Sequence, residues 1–396
     1  VSATEQVGEY PVLDYDYTGI VPVLSHITRL DELREDHPFF RSSFGTGFWV
    51  LNRMDAIRDA YQHPEWFSST SVAANEPDPP YKWIPEMLDP PEHTKWRQLL
   101  APSFSPGAMA RLEGSVRQRC IDLIESLVDQ KGCAFTRDFA QRYPTTIFME
   151  LMGLPLDQLD AFLDWEDAIL HTPLDQDPDR AKAMEAMFAV MGFFDELIKL
   201  RRQDPREDLV SEALNWTIDG QPIPHDDLLS WCLLMFMAGL DTVTIQLNYS
   251  WWHLATHESD RARIIGEPEI IPNAVEELLR VYAFVAPGRK VMKDGDFHGC
   301  PMKAGDMVLL PLCGATRDPA AFPDPTKVDF DRQVNNHLAF GAGPHRCLGS
   351  HLARRELRVA LEEWHKRIPH YRIPDGAVID EHGSMFGINQ LPLVWD

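Results

Sequence analysis

Over most of this chain the apolar positions follow the helical period. Leu112, Val116, Cys120, Leu123, Ile124 and Leu127 recur at steps of three and four residues. The apolar residues between Met184 and Leu200 do the same, and both runs predict amphipathic helices with one face turned to a core. The longest predicted helix starts near Pro224-His225-Asp226-Asp227, where a proline and two acids suit a first turn, and it runs to about His257 with Gly239 as its one interruption. A further helical run covers His351 to His365. Strand-like stretches are short: Phe48 to Leu51, Gly288 to Met292, and Met307 to Leu310 after the turn-forming Lys303-Ala304-Gly305-Asp306. The pattern predicts a mainly α protein with small β-sheets. No repeat, low-complexity tract or Gly/Ser linker divides it, so residues 1–396 read as a single domain.

Composition narrows the partners. With 61 acidic and 37 basic residues the formal net charge is -24, which repels phosphate backbones and anionic lipid. Neither nucleic acid nor a membrane is expected. Val1 to Tyr17 carries Glu5, Glu9, Asp14 and Asp16 and shows no export-signal pattern. The longest apolar stretch, Trp231 to Leu240, is shorter than the roughly 20 residues that span a bilayer. The expectation is a cytoplasmic protein acting as a monomer. Six cysteines are too sparse for a disulfide scaffold and lack zinc-ligand spacing, so each is judged by its surroundings.

One of them stands out. Phe340-Gly341-Ala342-Gly343-Pro344-His345-Arg346-Cys347-Leu348-Gly349 sets a cysteine in a glycine- and proline-shaped loop just ahead of a helix. Close backbone N–H groups and a helix N-terminus both favour a thiolate, and a metal would complete its stabilisation. Taken alone, Cys347 reads equally as an inert buried residue. Glu277 and Arg280 lie three apart on one helical face, which by itself describes an ordinary surface ion pair. Asp241-Thr242, after Ala238-Gly239-Leu240, puts two polar side chains in the middle of an apolar helix, a costly choice unless they are used. The bland alternative is a Thr bonded back to its own helix beside a partly solvated Asp.

The cysteine loop matches every defined position of Phe-Gly-x-Gly-x-His-x-Cys-x-Gly, and the chain from about Leu51 onward resembles the bacterial cytochrome P-450 superfamily. That resemblance implies the P-450 fold, a helical domain with a long central helix over haem b, and Cys347 as the axial ligand to the iron. It implies that Glu277, Arg280 and Arg332 form a buried network supporting the haem loop. His93, Arg97, Arg289 and His345 are the implied propionate contacts. Asp241 and Thr242 fall in the oxygen-activation motif, where the family's acid and alcohol line a local distortion of the helix.

An axial thiolate favours cleavage of the O–O bond, so the implied activity is monooxygenation: dioxygen hydroxylates a small apolar substrate. The chain contains no recognisable flavin or iron–sulfur module, which implies a [2Fe-2S] ferredoxin and its reductase as electron donors. Arg111, Arg117, Arg119, Arg346, Arg354, Arg355 and Arg358 could form a basic docking surface, and they read almost as well as a solvated helix face.

The resemblance is strongest to the camphor-hydroxylating branch, through Ile271-Pro272, Glu276 to Arg280, Cys347 to Glu356 and the ending Leu391 to Asp396. Tyr81 has that branch's spacing for a substrate-bonding tyrosine, whereas Met237, Ala238 and Glu86 depart from its pocket and Pro287 replaces a propionate-side acid. Leu234, Met237, Ala238, Val285 and Met385, with Tyr81 and Trp83, suggest a compact apolar guest such as a terpenoid. Aromatic packing is the competing reading of Tyr81 and Trp83. A fatty acid or an aromatic compound is the alternative substrate, and a haem-thiolate peroxygenase or a haem-based sensor the alternative function.

Overall fold

The computed structural model of the protein describes residues 5–6, 10–172, 176–177 and 179–396. Part of the acidic start, residues 1–4 and 7–9, lies outside the described residues. The predicted central helix forms as His225–Thr256, with Pro224 ahead of it and Asp226 and Asp227 in its first turn. At 1.5 Å per residue it is about 48 Å long. Its apolar residues surround the axis because other helices cover it on several sides: Arg142–Met152, Ala181–Gln203, Ile271–Val281 and Ser350–Arg367. By length and composition the whole helix could cross a membrane, its mean hydropathy reaching 1.8 over 18 residues, but 61% of that window is buried inside the protein. The shorter run Trp231 to Leu240 therefore understated the apolar length, and burial rather than length marks this as a core helix.

Gly239 does not interrupt the helix. A Cβ there would collide with the Phe148 ring, so the glycine lets Arg142–Met152 pack close. The expected distortion around Ala238 to Thr242 is also absent, since the segment is continuous α-helix.

The main sheet has seven strands in the spatial order Glu5–Gln6, Pro11–Leu13, Phe39–Ser42, Phe48–Leu51, Met307–Leu309, Gly288–Val291 and Phe67–Ser68. Phe48–Leu51 is buried at all four positions and runs parallel to Met307–Leu309, which explains its continuous apolar run. Arg289 pairs with Val308 across an antiparallel ladder. A Cβ on Gly288 would sit 2.7 Å from the backbone N of Ala74, so only glycine admits this approach beside Arg289. On the opposite side of the helical body Ser350–Arg367 lies along Glu113–Val128, and its Trp364 meets Phe135, Phe139 and Trp251 edge-on. The architecture is the mainly α body with small sheets that the periodicity predicted.

Candidate active site

The cysteine loop closes on itself through Cys347 N–H donating to Phe340 O at 2.9 Å. Gly341 and Gly343 have φ of +68° and +63°, and a Cβ on Gly343 would run into the backbone of Tyr61. The loop therefore needs glycine at both positions. Cys347 is the exposed one of the six cysteines, whereas Cys120, Cys232, Cys300 and Cys313 are buried and their thiols pushed up in pKa by that burial. Its recess still raises the Cys347 pKa, opposed by the N–H of Gly349 and the guanidinium of Arg97. The loop alone does not make the thiolate, and a bound metal would supply the remaining stabilisation.

The structure corrects the surface-pair reading of Glu277 and Arg280. Both are fully buried, and they meet in a bidentate pair, Nε–Oε2 2.8 Å and Nη2–Oε1 2.7 Å. Arg332 Nε adds bonds of 3.0 and 3.1 Å, and Asn335 Nδ2 and the N–H of Asp329 complete the carboxylate. Arg280 spends its other donors on the carbonyls of Thr316, Pro325 and Lys327. The neighbouring Glu276 was missed by sequence reasoning. It holds Arg354 at 2.5 and 2.8 Å and His337 at 3.0 Å, tying the helix Ile271–Val281 to the helix that follows the cysteine and to the strand-free approach of the loop. Burial works against its charge, yet these partners bring its pKa down to about 2.

The four implied propionate contacts converge. His93 and His345 stack with ring centroids 3.9 Å apart, and each keeps a buried Nδ1 with no hydrogen-bond partner among the described residues. His345 Nε2 pairs with Ser69 Oγ at 3.1 Å, and Arg97 Nη2 donates to Arg346 O at 2.6 Å, pinning the loop beside the cysteine. Arg289 is buried, with Nη1 on Gly288 O at 2.7 Å. Burial, with the neighbouring His345 and Arg97, brings the pKa of His93 down to about 3, so it stays neutral. Among the described residues, Glu86 is the carboxylate that faces this cluster, 3.7 Å from both Arg289 Nη2 and His345 Nδ1. Two orphaned imidazole nitrogens and two guanidiniums facing a single acid fit a dianionic group, as the two propionates of haem b require. The sequence offered Glu86 only as a departure from a pocket pattern.

On the central helix, Leu234, Met235, Ala238, Gly239 and Thr242 keep accessible surface while their neighbours on either side are buried. Ala238 is exposed in the middle of a core helix, which shows open space along this stripe. Leu348 and Leu352, beyond the cysteine, pack on the same apolar cluster as Phe236 and Leu240. Thr242 Oγ1 donates back to Ala238 O at 3.1 Å, the bland geometry for a helical Thr. Asp241 is turned the other way and is buried, not partly solvated.

Several expected pocket residues are held by packing or hydrogen bonds. Met237 is buried in the helical core, Val285 packs between two apolar clusters, and Met385 is half-buried against the largest one. The Tyr81 hydroxyl is not free: it donates to Glu76 Oε2 at 2.7 Å, and its ring stacks on Trp83 at 4.9 Å. The proposed basic surface is likewise largely neutralised. Arg117 pairs with Glu113, Glu362 and Glu363, Arg119 with Glu150, Arg354 with Glu276, and Arg355 and Arg358 with Glu113.

The model of the Cytochrome P450 family matches residues 25–367. A "Probable cytochrome P450 127A1" of Sinorhizobium fredii is 35% identical, with 89% of this chain and 84% of the relative covered. A "Mycinamicin IV hydroxylase/epoxidase" of Micromonospora griseorubida is 33% identical, covering 93% and 95%. The crystal structure of CYP101J2 superposes with a TM-score of 0.87 at 32% identity, covering 97% of each chain. With that coverage, the chain belongs to the cytochrome P450 family, whose members bind haem b through a cysteine thiolate and insert one atom of dioxygen into a substrate.

Proposed function

We propose that this monooxygenase hydroxylates a compact apolar substrate of terpenoid type in the cytoplasm, as a single domain supplied with electrons by a [2Fe-2S] ferredoxin and its reductase. The observation that carries the substrate reading is the open apolar stripe Leu234, Ala238 and Thr242 on an otherwise buried helix. It offers small side chains and one alcohol, which suits a guest with little polar surface. In this reading Cys347 ligates the iron, and His93, Arg97, Arg289 and His345 receive the propionates. Haem b supplies the oxygen-activating redox chemistry when bound. The residues do the rest: the stripe excludes water from the guest, Thr242 holds a hydroxyl at the cleft wall, and Asp241 presents a carboxyl one residue behind it. A ferredoxin reaches the loop on the side of exposed Arg346, because most of the other candidate arginines already have carboxylate partners.

Cys347→Ser tests the ligand. The reduced, carbon monoxide-treated wild type should show the red-shifted band of a thiolate-ligated haem, and the variant should lose it; the same band in both would reject Cys347. A spectral-shift screen of terpenoids, fatty acids and aromatic compounds tests the guest. Response to fatty acids alone would overturn the terpenoid reading.

A further inference from the structure

Behind the central helix, Asp241 meets a group of ionisable side chains that neither the cofactor nor the substrate reading uses. Asp241 Oδ1 is 3.2 Å from His171 Nε2, at an angle that makes no hydrogen bond, and both Asp241 oxygens lack a partner among the described residues. Glu166 is 0% exposed, and both its oxygens are unpartnered as well. His171 ends the π-helical turn Asp167–His171, whose wide winding sets its Nδ1 3.0 Å from Asp167 Oδ1. His382 stands beside it, rings 4.9 Å apart, with Nδ1 bonded to Asn389 Oδ1 at 2.9 Å. Gly387 leaves His382 its room, since a Cβ there would come within 2.6 Å of the ring.

The cluster runs from the buried helix to the surface. Asp241 is 1% exposed, His171 19% and Asp167 50%. We propose that His171 is the proton inlet for Asp241, passing protons from solvent beside Asp167 to the carboxylate behind Thr242. Monooxygenation consumes two protons and two electrons per turnover, and the ferredoxin delivers no protons, so a path for them is required. In the transfer, the N–H bond at Nε2 breaks and an O–H bond forms on Asp241. His171 is left as the neutral Nδ1–H tautomer on Asp167, and water reloads the free nitrogen after the ring turns.

The charges facing His171 from each packed element support this. Burial disfavours its imidazolium, but Asp241 and Asp167 outweigh burial and hold its pKa well above the ordinary value. Burial and the nearby Asp241 push the Glu166 carboxyl well up, leaving a neutral acid. Burial would raise Asp241 too, but His171 brings it down and keeps it ionised. Burial and the charge on His171 lower His382, which stays neutral. Arg180 is turned to the carbonyl of Ile169. The site thus sets an imidazolium against a carboxylate, with the neutral Glu166 beside them, and His171 carries the proton that would be passed to Asp241.

The inference rests on Asp241 acting toward the cleft, and the test separates the two. Dithionite-reduced holoenzyme is mixed with dioxygen, and its one-electron reoxidation, with release of superoxide that dismutates to peroxide, is followed against pH in water and in deuterium oxide, with no substrate or ferredoxin. His171→Gln should slow proton-dependent reoxidation on the order of ten- to a hundredfold and flatten its pH dependence, with haem content unchanged. His171→Lys restores a positive charge beside Asp241 but should not restore the rate. Independently, nitrogen-15 spectra of the diamagnetic carbon monoxide form should show His171 as an imidazolium at pH 7. A neutral His171 there, or wild-type kinetics in His171→Gln while Asp241→Asn is slow, overturns the inlet alone. Wild-type kinetics in Asp241→Asn overturns the role of Asp241 as well, and full rescue by His171→Lys reduces His171 to an electrostatic prop.

Discussion

Two buried carboxylate clusters of this molecule are built by opposite rules. Around Glu277 every oxygen is taken, by Arg280, Arg332, Asn335 and a backbone N–H. Around Asp241 and Glu166 all four oxygens lack hydrogen bonds among the described residues. A satisfied network in a low-dielectric interior is rigid, and it fixes the segment from Thr316 to Asn335 that precedes the cysteine loop. An unsatisfied one costs stability, and such a cost persists where protons must move. Completeness of hydrogen bonding, more than burial or charge, separates the two clusters.

The sharpest way to break this contrast is to remove one partner from each cluster. Arg280→Ala strands Glu277 in the core and should cost about 3–5 kcal/mol in unfolding free energy, with loss of haem. Glu166→Gln replaces a neutral acid by a neutral amide and should change stability by less than about 1 kcal/mol. Equal losses by denaturant titration would erase the distinction. Next in size is Thr242→Ala, expected to keep haem and fold while diverting most reducing equivalents into hydrogen peroxide. Product and peroxide per reduced cofactor give the answer, and full coupling would remove the alcohol from proton handling.

A smaller effect separates the scaffold side by pH. Glu276 has a folded pKa of about 2 against an ordinary 4.5, so its ion pairs stabilise the fold above about pH 4.5 and that contribution is lost as pH falls toward 2. Glu276→Gln should therefore show less acid-dependent loss of stability in this window than the wild type. Identical slopes would mean that Arg354 and His337 contribute nothing. The smallest is Tyr81→Phe, which removes the bond to Glu76 and should cost roughly 0.5–1.5 kcal/mol in stability with substrate affinity unchanged. Weaker binding without loss of stability would return Tyr81 to the pocket.

What the sequence determined by itself is local in the chain. The central helix was legible to within one residue at each end because its first turn and its apolar length are written consecutively. The cysteine loop was legible because its glycines, cysteine and following helix fall within ten residues, and Glu277 and Arg280 because a helix places them on one face. What it left open was who stands opposite. Nothing in the spacing of Glu166, His171 and His382 announces that they meet Asp241, and nothing around Tyr81 announces that its hydroxyl bonds Glu76. Burial of Glu277, exposure of Ala238 and the neutralisation of the arginines by Glu113, Glu276 and Glu362 are likewise products of packing. The physical reason is range. Helical period and loop chirality act over a few residues of one segment, whereas desolvation and Coulomb partners are set by whichever segments the fold brings within a few ångströms, and only the tertiary structure chooses those.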